Sequence, residues 1–124
     1  MQAVMEKERS FGYTVTDVSA ENCGWDITSQ PTPVGDIVPD DRHIEVKGRA
    51  KDATTITVSS NEVKSSLNQG DKFILAIVLV DSDQVDGPYY IRNPFKSELM
   101  DGQVSGNFSI ADLLKRAVAP EATL

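Results

Sequence analysis

The sequence predicts an α/β fold in which a mixed central sheet is flanked by helices. The run Phe73–Val80 is continuously apolar and rich in β-branched residues, as expected of a strand covered on both faces. Two alternating segments and a helical segment precede it, and this order is typical of a mixed sheet. A chain of 124 residues can bury one core, so we expect one domain over residues 1–124.

The first third of the chain predicts one helix and two strands. Good helix formers fill residues 2–9, and we expect residues 1–9 to be the stub of a longer upstream region. Residues 13–18 and 25–29 are rich in β-formers and predict strands. Residues 30–42 contain three prolines and a glycine, which indicates a hairpin connection or a loose loop.

The rest of the chain alternates strands with helices. Residues 43–50 and 54–59 alternate apolar and polar side chains, the pattern of half-buried strands. Ser59 and Glu62 have capping-box spacing and predict a helix that ends at Gly70. Further segments complete the prediction: an edge strand over 87–95 bounded by prolines, a C-terminal helix over 110–118 capped by Ser109, and a tail over 119–124.

Composition excludes several classes of protein. The single cysteine and single histidine leave no internal disulfide and almost no zinc ligands. The longest apolar run is far shorter than the roughly 20 residues of a membrane span. The charged N-terminus is unlike a signal peptide, so we expect a cytoplasmic protein. A net charge of −7 argues against a general binder of polyanions.

The residues best suited to metal binding and catalysis are Asp26, Glu45 and Lys47. Positions i and i+2 of a strand share one face, so Glu45 and Lys47 project together while Ile44 and Val46 point into the core. If the strand over 25–29 pairs beside this one, Asp26 joins the same polar face. Hard oxygen ligands of this kind suit Mg²⁺. A neighbouring lysine can orient the attacking water or stabilise charge on a phosphate.

The spacing Glu-x-Lys is weak evidence without its strand context. Glu62 and Lys64 repeat it, but in a predicted helix, where positions i and i+2 do not face each other. An exposed ion-pair cluster on a solvated sheet is the alternative interpretation of the first copy.

Several motifs together resemble the NO VEIN C-terminal domain family, which is similar to the PD-(D/E)xK restriction-endonuclease-like nucleases. The resemblance covers about residues 1–95 and rests on the segments FGYTVTDVSAENCGWDI, HIEVKGRA, TITVSSNE and FILAIVLV. It implies a restriction-endonuclease-like core and a Mg²⁺ (or Mn²⁺) site. By motif position, Asp26, Glu45 and the backbone carbonyl of Val46 would be metal ligands, and Lys47 the catalytic lysine.

The resemblance further implies a metal-dependent endonuclease acting on DNA, as an accessory domain of a larger bacterial helicase or restriction and defence protein. A catalytically silent module that binds nucleic acid or protein is the alternative. We expect nucleic-acid contacts from Arg49, Lys51 and Asn61. Glu62 is a secondary site residue or only a helix cap, and Glu8 either reaches the active face from the first helix or is solvated.

Charge is unevenly distributed along the chain. Residues 42–72 carry six Lys and Arg against four Asp and Glu, so the predicted site region is locally basic although the chain is acidic. Nucleic acid is therefore not excluded. We expect the isolated domain to bind DNA weakly, with flanking helicase or defence-protein domains supplying most of the affinity.

Overall fold

The computed structural model describes all 124 residues. The helices are α1 (Gln2–Ser10), α2 (Ser60–Gln69) and α3 (Ile110–Leu114). The strands are β1 (Thr14–Asp17), β2 (Ile27–Gln30), β3 (Arg42–Ala50), β4 (Thr55–Ser59), β5 (Phe73–Asp81), β6 (Gln84–Arg92) and β7 (Ser105–Ser109). No helix has the length and apolar character needed to cross a membrane.

Five strands form the main sheet, in the order β1-β2-β3-β5-β6. Strands β3 and β5 are parallel, and the other neighbouring pairs are antiparallel. The parallel pair requires a long crossover, which runs through β4 and α2. The predicted mixed α/β sheet is confirmed, and β6 lies at an edge as the sequence indicated.

Strand β5 is buried on both faces, as its unbroken apolar run predicts. Leu75 and Ile77 belong to a cluster that includes Val63 of α2. Ile74 and Ala76 belong to a second cluster, which includes Val4 of α1. Helices α1 and α2 therefore cover opposite faces of the sheet. One face of β3 lies on the α1 side and the other on the α2 side.

The proline-rich connection between β2 and β3 is a hairpin rather than a loose loop. Val34 and Ile37 form an antiparallel bridge, with hydrogen bonds of 2.9 and 3.0 Å between their backbone groups. Gly35 takes a φ of +61° between them, which glycine adopts at little cost. The connection between the antiparallel strands β2 and β3 therefore contains a defined turn.

The C-terminal third differs from the prediction. Strand β7 pairs with β4 in a separate two-stranded sheet, whereas no strand was predicted there. The last helix ends at Leu114 instead of residue 118, because Val118 exchanges two backbone hydrogen bonds with Tyr90 of the edge strand. Residues 119–124 are not a free tail, since Pro120–Thr123 form a 3-10 turn and Thr123 is buried.

Candidate active site

Asp26 is fixed beside the middle of β3 by its own backbone and side chain. Its N–H donates to the carbonyl of Ile44 at 2.9 Å, and its Oδ2 accepts the N–H of Val46, also at 2.9 Å. Asp26 lies one residue before β2, although the sequence placed it inside that strand. The position is nevertheless the predicted one, next to the Glu45–Lys47 segment.

Glu45 and Lys47 lie on the face of β3 that looks toward α2. Glu45 is 4% exposed, so its carboxyl group is largely removed from water. The ammonium of Lys47 is 3.7 Å from Oε1 of Glu45, with 19% of the lysine side chain exposed. The alternation in this segment therefore brings a carboxyl group and a lysine together, as predicted.

Glu62 completes this cluster from the first turn of α2. Its Oε1 accepts the backbone N–H of Ser59 at 2.9 Å, while the hydroxyl of Ser59 accepts the backbone N–H of Glu62 at 3.0 Å. The predicted capping box is thus confirmed. The same Oε1 lies 3.0 Å from Nζ of Lys47, so Glu62 both caps the helix and holds the lysine.

A shallow concavity of about 180 Å³ opens above these groups. Its lining residues come from the segment before β2, from β3 and from the start of α2: Ser19, Asn22, Gly24, Trp25, Asp26, Glu45, Ser59, Asn61 and Glu62. Gly24 has a φ of +99°, and a Cβ there would lie 1.9 Å from Oγ of Ser65. Only glycine lets this segment pack so closely against α2 and shape the wall.

Comparison with known proteins identifies the family of this chain. Residues 1–91 match the family model described as Protein NO VEIN, C-terminal. The chain belongs to this family. Its fold is similar to that of Archaeoglobus fulgidus Hjc, a Holliday junction resolvase from an archaeal hyperthermophile, with a TM-score of 0.60 and 14% identity over 98% of this chain and 90% of that chain. No curated protein matches the chain.

The two matches confirm the restriction-endonuclease-like core that the motifs implied. Because the sequence identity to the resolvase is only 14%, that likeness concerns the fold. The family match ends at residue 91, so β7, α3 and the last turn lie outside it.

The pKa values of Glu45 and Glu62 are shifted in opposite directions. Burial raises the pKa of Glu45 to about 10, and the neighbouring carboxylates of Glu62 and Asp26 act in the same direction. Burial also raises the pKa of Glu62, but hydrogen bonds from Glu45, Ser59 and Lys47 outweigh it and lower the pKa below its ordinary value. These shifts favour a neutral carboxyl group on Glu45 that is hydrogen-bonded to the carboxylate of Glu62.

The donor set at the concavity fits a hard divalent cation only in part. No group of three or more His, Cys, Asp or Glu side chains is arranged to hold a metal ion. Mg²⁺, however, commonly uses one or two carboxylates and keeps several waters. Asp26 and Glu45 both line the concavity, and their carboxyl groups are donors of the type that Mg²⁺ uses.

Of the three residues expected to contact nucleic acid, the structure brings Asn61 to the concavity but not Arg49 or Lys51. Asn61 lines the concavity itself. Arg49 follows Lys47 in the same register of β3, but its Nη1 donates to the carbonyl of Thr55 at 2.8 Å. Lys51 is exposed, and its Nζ lies 3.8 Å from Oδ2 of Asp81. Their contacts with DNA stay predictions.

Glu8 neither reaches the active face nor lies in solvent, so both expectations for it are wrong. Its side chain is fully buried on the side of the sheet covered by α1. Oε1 accepts a hydrogen bond from Nε of Arg42 at 2.7 Å, and Oε2 accepts the hydroxyl of Tyr90 at 2.9 Å. These partners compensate the buried carboxylate, which explains why it can leave water.

Sequence reasoning also missed an aromatic contact that supports the site. The rings of Trp25 and His43 stack with centroids 4.1 Å apart and an interplanar angle of 11°. Nε1 of Trp25 donates to Thr28 at 3.0 Å, and His43 is hydrogen-bonded to Gln69 of α2. The stack joins the residue before Asp26 to β3. The two stacked residues are far apart in sequence, so no local sequence pattern could predict the contact.

Proposed function

We propose that residues 1–124 form one nuclease-like domain that hydrolyses DNA phosphodiesters with Mg²⁺ or Mn²⁺. The observation that carries this proposal is the 3.7 Å contact between Lys47 and Glu45, because Glu45 lines an open concavity together with Asp26 on a nuclease-like fold. The proposal includes a larger host, a cytoplasmic bacterial helicase or restriction and defence protein, to which the domain is an accessory.

Each group at the concavity has a defined role in this proposal. Asp26, Glu45 and the carbonyl of Val46 would hold the cation, which supplies positive charge to the phosphate and makes a bound water more acidic. Lys47 orients the attacking water and stabilises the negative charge that develops on the phosphate. Glu62 restricts the lysine to this position through the 3.0 Å contact.

The charge distribution is compatible with DNA as the substrate if flanking domains contribute to the affinity for DNA. Arg49, Lys51 and Asn61 are proposed to contact the phosphates that flank the cleaved bond. Their number is small and the chain is acidic overall, with a net charge of −7. Each phosphate contact contributes a salt-dependent increment of affinity, so the isolated domain should bind DNA weakly.

A second candidate is a catalytically silent module that binds nucleic acid or protein on the same fold. The observation that favours this candidate is that the polar side chains of the site form hydrogen bonds and ion pairs with one another. Glu62 is committed to Ser59 and Lys47, and Lys47 also lies 3.7 Å from Glu45. A cluster satisfied internally in this way can persist as an ion-pair network without turnover.

Metal binding and cleavage together distinguish the two candidates. Mn²⁺ is titrated calorimetrically into the wild-type domain, Asp26→Asn and the surface control Asp112→Asn. The nuclease proposal expects binding to the wild type and the control, and binding to Asp26→Asn weakened by about tenfold or more. Cleavage of labelled single- and double-stranded DNA with Mg²⁺ or Mn²⁺ should follow the same order. Metal binding without cleavage would favour the silent module, and equal cleavage by Asp26→Asn would overturn the proposed site.

A further inference from the structure

A second groove begins where the candidate active site ends. It has a volume of about 400 Å³ and lies between the first turn of α2 and the segment that precedes β7. The lining residues are Ser59, Ser60, Asn61, Lys64 and the run 98–104. Ser59 and Asn61 line both this groove and the candidate concavity, so the two adjoin.

The groove is held in shape by backbone contacts. The N–H of Ser60 donates to the carbonyl of Val104 at 2.8 Å, which ties the segment to the start of α2. Within the segment, the N–H of Gln103 donates to the carbonyl of Met100 at 3.0 Å, and Oε1 of Gln103 accepts the N–H of Met100 at 3.2 Å. Phe95 anchors the beginning of the segment in the core, with 5% of its surface exposed.

The lining combines apolar and amide groups in a way that suits a nucleobase. Met100 and Val104 are 80% and 81% exposed, so they contribute little to the core and are free to cover an apolar face. Gln103, whose Oε1 accepts the N–H of Met100, carries amide N–H groups that can donate to the polar edge of a base. Asn61 lines both the groove and the concavity, where it can reach the adjoining phosphate. The volume also lies in the range of sites for small organic ligands, roughly 300–1,000 Å³.

The charges of the groove favour a base over the phosphate backbone. Glu98 and Asp101 line it alongside one basic residue, Lys64, so a phosphate inside would meet a net negative surface and be repelled. A nucleobase is uncharged and has no such conflict. The phosphate is assigned to the neighbouring concavity, where Lys47 contacts the lining residue Glu45 at 3.7 Å and the proposed cation would offset the carboxylates.

We infer that this groove takes an unpaired nucleobase of the DNA strand that is cut, next to the scissile phosphate. The inference rests on the proposed function and narrows its substrate class. Because a base in a duplex is stacked and paired, it reaches the groove only from single-stranded or locally opened DNA. The run 98–104 lies beyond residues 1–91 that match the family, whereas the wall formed by α2 lies within them.

Binding without cleavage tests the groove directly. The domain is titrated into a single-stranded oligodeoxynucleotide with one 2-aminopurine, in EDTA, and the base fluorescence is followed. The wild type should change the fluorescence and bind the matching duplex about tenfold more weakly. The double variant Met100→Asp, Val104→Asp should lose about tenfold in affinity for the single strand. The matched control Val34→Asp, Ile37→Asp, at aliphatic residues 70% and 69% exposed outside the groove, should bind like the wild type.

The outcomes separate this inference from the proposed nuclease activity. Absence of a fluorescence change with the wild type, equal affinity for duplex, or unchanged affinity of the groove variant would each overturn the inference. If the groove variant loses affinity while no DNA is cleaved with Mg²⁺ or Mn²⁺, the base site stands and the nuclease activity fails. If DNA is cleaved but the groove variant binds and cleaves like the wild type, the nuclease activity stands and the groove has no such role.

Discussion

The ammonium of Lys47 lies 3.0 Å from Oε1 of Glu62, and that same oxygen accepts the backbone N–H of Ser59. One carboxylate therefore joins the first turn of α2 to the lysine of β3. Because the capping box fixes Glu62, and Glu62 in turn restricts Lys47, the position of the lysine depends on a helix terminus as well as on its own strand.

Replacing Lys47 by alanine should abolish cleavage while metal binding persists. The lysine is the cation proposed to stabilise charge on the phosphate, and loss of one such group should lower the rate at least about 100-fold. Initial rates of DNA cleavage and calorimetric titration with Mn²⁺ measure the two effects. Lys115→Ala is the control, since Lys115 is a surface residue paired with Asp112. Similar rates for both variants would remove Lys47 from the mechanism.

Glu62→Gln should separate helix capping from lysine positioning. Glutamine can still accept the N–H of Ser59, as in other capping boxes, so the stability should change little. It cannot offer Lys47 a charge, and we expect cleavage to fall about 10- to 100-fold through misplacement of the lysine. Urea unfolding and cleavage rates provide the two readouts.

The matched control for capping is Ser109→Ala, which removes the side-chain acceptor for the backbone N–H of Asp112 at the start of α3. It should lose about 0.5–2 kcal/mol of stability and keep full activity. If Glu62→Gln also retained full activity, Glu62 would be a helix cap alone.

The features that the sequence predicted depend on short-range geometry. The alternation of Ile44 and Val46 with Glu45 and Lys47 orients a strand because neighbouring side chains point to opposite faces. The capping box needs only residues three apart. By contrast, Lys47 meets Glu62 across 15 positions and Glu8 meets Arg42 across 34, so these contacts follow from how the elements pack.

Strand β7 was missed for a related reason. Its sequence Ser-Gly-Asn-Phe-Ser contains Gly106 and Asn107, which are poor strand formers. It becomes a strand because β4 offers a partner in register, with Val58 opposite Gly106 and Ile56 opposite Phe108. Tertiary pairing therefore overrides a weak local preference, and the groove beside α2 could not be anticipated without it.

The buried Glu8–Arg42 pair should be the most sensitive point of the fold. Glu8→Ala leaves the guanidinium of Arg42, whose side chain is 5% exposed, without its carboxylate, and such loss typically costs about 3–5 kcal/mol. Urea unfolding measures the change. The control is Lys7→Ala, which breaks an exposed 2.8 Å pair with Glu121 and should cost less than about 1 kcal/mol. The double replacement Glu8→Leu, Arg42→Met should recover part of the stability, and equal small losses in both single variants would contradict this assignment.

The stability of the metal-free domain should fall as the pH rises, because of Glu45. Burial raises the pKa of Glu45 to about 10 in the folded state, from an ordinary value of 4.5. Between these values the folded state holds a proton that the unfolded state has lost. The free energy of unfolding therefore decreases with pH, by up to about 1.4 kcal/mol per pH unit. The pKa of Glu62 is lowered, so its contribution is lost only at acidic pH.

Urea unfolding in EDTA at pH 5, 7 and 9 isolates this effect. Glu45→Gln cannot ionise, so its stability should exceed that of the wild type by a margin that grows with pH. For the control Glu21→Gln, at an exposed residue, the free energy of unfolding should change with pH as it does in the wild type. Addition of Mg²⁺ should reduce the pH dependence of the wild type, because a cation beside Asp26 and Glu45 stabilises the ionised carboxyl group. Parallel pH profiles for the wild type and Glu45→Gln would show that Glu45 is not held protonated by its burial.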